Sequence, residues 1–420
     1  MNVLWITNII FPEALSLLKG DGDLKSSGGW MLGAAEALLN QDDIELHVAS
    51  VSRDVRSLNI LKGDRITYYL IPYGKGNLKY NSEYGLYWQQ INSIVLPDIV
   101  HIHGTEYSHG LAYMKACGVD NVVISIQGLT SAYYYYYYYG MTKSDVFSNI
   151  TFRDIIRGTV LRGQRQFKGR SKYEIEMIRM AHHIIGRTSW DKARCWAINP
   201  GAEYHFCNET LRHEFYSGVC WEYELCTKHS IFLSQAGYPI KGLHQVLKAM
   251  PLILRHFPDA TIRIAGGDIT KTETNKDRLR LSGYGKYIKR LILKNGLQDK
   301  VVFTGNLNAS EMKSEYLRAN VFVCPSSIEN SPNSLGEAQI LGVPCLASYV
   351  GGIPDMMKGN ECGLYRFEEI EMLAYKICNV FDSTNTQIDM SSNARFRHDG
   401  YMNQKSLYNI YTKVYREKGR

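Results

Sequence analysis

Short runs of β-branched and other apolar residues alternate with helical patterns along the whole chain, and this rhythm limits the fold more than any other feature. In the first half the runs are Val3–Thr7, Ile44–Ala49, Asp98–His103, Asn121–Ile126 and His183–Ile185. In the second they are Ser230–Ser234, Thr261–Ala265, Val301–Thr304, Val321–Pro325 and Pro344–Ala347. Several are apolar throughout, as parallel strands covered on both faces require. Strand–helix alternation of this kind predicts an α/β protein with right-handed crossovers. A length of 420 residues is too great for one ordinary core and suggests two or three domains. The rhythm lapses between about 199 and 228, which puts an inter-domain connection near Ser217. We therefore expect two doubly wound, Rossmann-like domains, 1–217 and 218–402, facing one another across a cleft. Leu407, Ile410, Tyr411 and Val414 recur at helical intervals, so 403–420 should form a closing helix. Ligands of open parallel sheets bind beyond the carboxyl ends of the strands, and the chemistry is expected in strand-to-helix loops of both halves.

Charge and cysteine usage narrow the function classes. The 48 Lys and Arg against 41 Asp and Glu leave a mild excess of +7, too shallow for a nucleic-acid binder, and no nucleic-acid partner is expected. The nine cysteines are odd in number and lack Cys-x-x-Cys spacing, and most lie in apolar runs such as VFVCP. Reduced core thiols in a cytoplasmic chain are the expectation. MNVLWITNIIFPE lacks the basic start of a secretion signal. The uncharged stretch from Asn121 to Thr142 is long enough to span a bilayer, but its Asn, Gln, Gly and seven consecutive tyrosines, Tyr133 to Tyr139, read as a strand and a loop.

Three loops carry chemistry. Gly28 and Gly29 precede a helical pattern from about Trp30, where backbone N–H groups can approach a phosphate or simply make a flexible turn. Lys241-Gly242 stands at the mouth of another helix, where an ammonium can reach a pyrophosphate or remain a solvated loop lysine. After the run Val321–Cys324 comes a loop with Glu329, then a helix from about Asn333 or Ser334 that carries Glu337 and stops at Gly342 and Pro344. A carboxylate accepts two hydroxyl hydrogen bonds at once, which suits sugar diols. No Gly-x-Gly-x-x-Gly follows the first strand, which argues against a dinucleotide oxidoreductase. No strand-flanked Asp-x-Asp pair is present, and no residue is assigned to a metal.

The segment Pro325 to Asp355 resembles the donor-binding signature of glycosyltransferase family 4, retaining enzymes of the GT-B fold, which implies that the closing helix 403–420 packs back on the first domain. The matching residues are Glu329, Glu337, Leu341-Gly342-Val343-Pro344 and Gly351-Gly352-Ile353-Pro354-Asp355. The Gly28-Gly29 loop, PDIVHIHG at 97–104, the Lys241-Gly242 block and FTGNL around Gly305 agree with it. SIQGL, IIGRTSWD and YPIKGLH resemble members from bacterial capsular or exopolysaccharide assembly. The resemblance spans nearly the whole chain and implies a metal-independent hexosyltransferase with no cofactor beyond its nucleotide-diphospho-sugar. It implies that Glu329 contacts the donor sugar, Glu337 holds the ribose and Lys241 neutralises the diphosphate. Gly28, Gly29, Asn333, Ser334 and Gly305 would complete the donor site. The sequence departs from the family at Gln127, where a histidine is frequent, and at Ala236, where an arginine is frequent. His103 and His109, near Gln127 in the adjoining strand-end loop, are the candidates to compensate; His101 reads as structural.

The acceptor implied is a glycan or lipid-linked oligosaccharide. FRDIIRGTVLRGQRQFK at 152–168 predicts a basic amphipathic helix, with Phe152, Ile155, Ile156, Val160 and Phe167 on one side and Arg153, Arg157, Arg162, Arg165 and Lys168 on the other. The stretch 152–172 could meet an anionic membrane at the inner face of the plasma membrane, or pack on a core with its charges solvated. The tyrosine run is expected to be a loop that contacts acceptor or membrane, or a disordered lid. The competing function is a non-catalytic nucleotide-sugar-binding partner subunit of a polysaccharide assembly complex.

Overall fold

The computed structural model describes residues 1–20, 29–72, 80–395 and 405–418. They divide into two compact units, 1–132 with 166–211 and 400–420, and 133–165 with 212–399. This differs from a single boundary near Ser217. The segment 133–165 is counted with the second unit because its own hydrogen bonds run there: Thr151 Oγ1 donates to Leu281 O at 2.8 Å and Lys248 Nζ donates to Gly140 O at 2.8 Å.

The first unit holds β1 (Asn2–Thr7), β2 (Glu45–Ser52), β3 (Asn59–Lys62), β4 (Ile66–Pro72), β5 (Ile99–His103), β6 (Val122–Ser125), β7 (His183–Gly186) and β8 (Glu203–Phe206). Their order is β3-β4-β2-β1-β5-β6-β7-β8, parallel except for the β3–β4 pair. β5 and β6 are buried at every residue, which explains their unbroken apolar reading. The expected closing helix is present as Ser406–Lys418. It buries Ile410, Tyr411 and Val414 against the same cluster as Val3 and Trp5. Trp5 Nε1 donates to the Tyr411 hydroxyl at 2.9 Å, which leaves that hydroxyl to donate to His101 Nδ1 and His101 Nε2 to meet Ser125 Oγ. Both ring nitrogens of His101 are thus engaged, and burial pushes the ring down to about 3.

The second unit holds β9 (Ser230–Leu233), β10 (Thr261–Ile264), β11 (Val301–Phe303), β12 (Val321–Cys324), β13 (Cys345–Ser348) and β14 (Leu364–Tyr365). All run parallel, in the order β11-β10-β9-β12-β13-β14, with the switch of direction between β9 and β12. The helix after β9, Leu243–Ile253, buries Leu243, Val246, Leu247 and Met250 against this sheet. All nine cysteines are free thiols; four are buried, three half-buried, and Cys220 and Cys362 exposed. No helix among the described residues is long and apolar enough to cross a membrane.

The basic segment is not one helix. Gly158 adopts φ +83°, a left-handed conformation that ends the helix Phe152–Arg157, and a second helix runs Val160–Met180. Thr151 and Asp154 form a capping box at the first helix, and Asp154 is buried. Phe152, Ile155 and Ile156 point outward, 58%, 75% and 62% exposed, whereas Val160 and Leu161 pack on the second unit's core. The tyrosine run is a loop only in part: Tyr133 ends a short helix, Thr130–Tyr133, a 3-10 turn covers Tyr134–Tyr136, and Tyr137–Tyr139 continue as a turn. Tyr136 O accepts Ser327 Oγ at 2.9 Å, Tyr139 O meets His244 Nε2 at 3.0 Å, and the Tyr139 ring lies 5.5 Å from that of Phe367.

Candidate active site

In the second unit, Lys241 and Glu329 come from the loops after β9 and β12, neighbouring strands at the switch of sheet direction. Lys241 Nζ lies 2.5 Å from Glu329 Oε1, which also accepts Ser326 Oγ at 2.9 Å. Burial pulls the ammonium toward its neutral form, but the facing Glu329 and Tyr238 outweigh it and raise Lys241 above its usual range. It therefore stays charged. Two glycines make this approach sterically feasible. Gly242 adopts φ +70°, and a Cβ there would stand 1.7 Å from Pro325 O. Gly351 adopts φ +52°, and a Cβ there would stand 1.8 Å from Glu329 O, while Gly352 N donates to the same oxygen at 3.0 Å.

Glu337 sits in the helix Asn333–Ile340, which opens after Pro332 with Asn333 and Ser334 in its first turn. Its carboxylate is gripped by Arg212, Nε to Oε1 at 2.8 Å and Nη2 to Oε2 at 2.9 Å, with the Tyr316 hydroxyl 3.3 Å from Oε2. Burial raises Glu337 above the usual carboxylate range and the guanidinium opposes it. Sequence reasoning did not find Arg212, which is 125 residues away and in no recognisable motif. Gly305, at φ +83°, exchanges hydrogen bonds with Gly266, and open space surrounds the Cβ position of both. Such a bare backbone edge beyond β10 and β11 leaves room for a flat or charged ligand.

In the first unit, a pocket at the carboxyl ends of β5, β6 and β7 is lined by His101, His103, Gln127, Arg187, Glu209 and Thr210, among others. His103 and Gln127 therefore meet in one place. His109 is not among the lining residues; it is buried on the helix Ser108–Cys117, stacked on Tyr107, and burial lowers it to about 4. Burial, then the adjacent His101, keeps His103 well below the usual imidazole range. Gln127 is set by Arg187, whose Nη2 donates to Gln127 Oε1 at 3.1 Å and to Ile126 O at 2.8 Å, while Nη1 lies 2.6 Å from Glu209 Oε1. Gly29 opens the helix Gly29–Leu39, and Gly28 lies outside the described residues.

Glu106 also escaped sequence reasoning. Its Oε1 accepts the Gly128 N–H at 3.1 Å, and its Oε2 is shielded from solvent with no hydrogen-bond partner among the described residues. Burial raises its carboxyl to about 7, with Glu174 adding and Arg170 opposing. Glu174 in turn accepts the Thr130 and Ser131 amides at 2.6 and 2.9 Å, which pins the loop after β6. The only sequence signal was Glu106 itself, an acid two residues beyond the His103-Gly104 strand end.

Residues 227–397 match the family Glycosyl transferases group 1. The chain is 30% identical over 164 residues to the uncharacterized glycosyltransferase MJ1607 of Methanocaldococcus jannaschii, covering 36% of this chain and 37% of that protein. It is 27% identical over 132 residues to the GDP-mannose-dependent alpha-(1-6)-phosphatidylinositol monomannoside mannosyltransferase of Mycolicibacterium smegmatis, covering 30% of this chain and 31% of that protein. These matches span about a third of each relative's length. The structure resembles sucrose-phosphate synthase from Thermosynechococcus elongatus with a TM-score of 0.67 at 16% identity, over 99% of this chain and 98% of that one. The fold is GT-B.

Proposed function

We propose that the protein is a retaining glycosyltransferase that moves a hexosyl group from a nucleotide-diphospho-sugar to a hydroxyl of a glycan, without a metal, in capsular, extracellular or related cell-surface polysaccharide synthesis. The observation that carries this reading is the part-buried Lys241–Glu329 contact, fixed by Gly242 and Gly351 at a sheet switch point inside the segment that matches the family. In the reaction the donor C1–O bond breaks and its electron pair leaves with the diphosphate. The acceptor oxygen bonds to C1 on the same face, and its proton passes to the departing phosphate. Lys241 and the amides of Asn333 and Ser334, which as the first of a helix lack intrahelical partners, meet the growing negative charge. Gly305 leaves the donor room, Glu329 accepts sugar hydroxyls, and Glu337, oriented by Arg212, accepts the ribose. Glu106 and the Gln127 loop are assigned to acceptor hydroxyls.

A lipid-linked acceptor agrees with two observations. The Mycolicibacterium relative is named for a phosphatidylinositol-linked acceptor. The helix Phe152–Arg157 also presents Phe152, Ile155 and Ile156 to solvent beside Arg153 and Arg157, a composition suited to peripheral docking on an anionic leaflet. The expected location is cytoplasmic, at the inner face of the plasma membrane.

The test is release of nucleoside diphosphate from a panel of nucleotide sugars by the purified protein. Glu329→Gln should cut turnover by at least about a hundredfold, within the range for loss of one preorganised polar group, with the fold retained in circular dichroism although the Lys241 ammonium loses its counter-charge. Full turnover in that variant rejects the assignment. The pairing of Glu337 with Arg212, together with Gln127 and Ala236, favours a second reading, a non-catalytic nucleotide-sugar-binding partner subunit. Donor binding by calorimetry with no release or transfer would select it.

A further inference from the structure

We propose that His183, Glu203 and His205 form a binding site for a transition-metal ion of the Zn²⁺ class, at the edge of the first unit's sheet. His183 and Glu203 begin β7 and β8 and stand opposite each other in the pairing register, and His205 follows on the same face of β8. The site lies toward the amino ends of these strands, away from the loop that carries Arg187 and from the pocket at the carboxyl ends.

The geometry fits an ion. His183 Nδ1 and His205 Nε2 are 3.1 Å apart, and Glu203 Oε2 lies 3.7 Å from the first and 4.0 Å from the second. The nearest point equidistant from these three atoms lies in their plane about 2.1 Å from each, so a slight closing of the three donors would hold a tetrahedral ion above that plane at Zn–N and Zn–O bond length. Without an ion, one imidazole N–H must donate to the other's lone pair across the 3.1 Å gap. An ion would replace that shared proton, and each ring would carry its hydrogen on the far nitrogen. For His183 the far nitrogen is Nε2, and Glu417 Oε2 stands 3.7 Å from it. A small approach would make Glu417 the outer carboxylate that orients a metal-bound imidazole. Lys413 holds Glu203 by Oε1, which leaves Oε2 toward the imidazoles. Two imidazoles, one carboxylate and an open fourth position suit Zn²⁺, Co²⁺ or Ni²⁺ rather than Mg²⁺ or Ca²⁺. Because Glu417 belongs to the helix Ser406–Lys418, the ion would also clip that helix to the sheet edge.

The test is titration of the untagged full chain with Co²⁺, read by its visible d–d absorption, followed by displacement with Zn²⁺. One equivalent should bind with the intense bands of a tetrahedral site. His205→Gln and Glu203→Gln should each weaken binding at least tenfold, and Glu417→Gln by about tenfold or more. Glu203 is 40% exposed at its side chain, so its variant keeps the fold if His205→Gln does not. Absence of tetrahedral bands, or bands unchanged in both first-named variants, overturns the proposal. The readout is independent of sugar transfer.

Discussion

Glu329 is held by backbone as much as by its lysine. Gly351 lets the following loop touch Glu329 O, and at φ +52° an added Cβ would meet both strain and collision. Gly351→Ala should therefore destabilise the protein by about 2 kcal/mol or more and lower turnover by moving Glu329, as seen in thermal unfolding and donor cleavage. Glu106 supplies a pH signature. Its folded carboxyl titrates near 7 against an ordinary 4.5, so the folded state holds the extra proton between those values and loses stability as pH rises through them. Glu106→Gln should be nearly neutral at pH 4.5 and stabilising by up to about 3 kcal/mol at pH 8, measured by denaturant unfolding at the two pH values. The Gly-Gly-x-Pro motif was legible through the family resemblance and Lys-Gly through its place at a helix mouth; the tight backbone approaches at Gly242 and Gly351 are the physical reason glycine stands there. Arg212 and Glu106 were not, because their partners are remote and a lone charge in sequence carries no address.

At the scale of elements, the fully buried strands were legible because burial on both faces leaves an unbroken apolar run. β3, β4, β8 and β14 were missed for separate reasons. β14 has two residues, β3 and β8 are edge strands with exposed positions, and β4 hides its apolar character in Tyr68 and Tyr69, each 2% exposed. The basic segment was read as one helix because a wheel ignores the left-handed Gly158. That break leaves Phe152–Arg157 as a separate amphipathic plate, capped by Thr151 and Asp154. Ile155→Glu, at a position 75% exposed, should leave the melting temperature within about 1 °C and abolish co-flotation with anionic vesicles at low salt. Co-flotation equal to wild type would remove the membrane from the proposed function.

Across the whole molecule, two α/β units and the closing helix follow from the rhythm and from the heptad-like spacing near the C-terminus. The passage of 133–165 into the second unit does not, since it shows in tertiary contacts such as those with Leu281, His244, Lys248 and Ser327. Tyr411 is the keystone of the first unit, with no exposed surface and bonds to Trp5 and His101. Tyr411→Ala should cost about 3–5 kcal/mol, visible in calorimetry as an earlier transition. Trp5 and Tyr411 are 406 residues apart. At a synthesis rate of about 5–20 residues per second, Trp5 waits roughly 20–80 s for its partner. During that interval the nascent first sheet presents an uncovered aromatic face while every residue of the second unit is still being made. The order of translation therefore leaves Trp5 and His101 without their hydroxyl partner until the C-terminal helix has emerged.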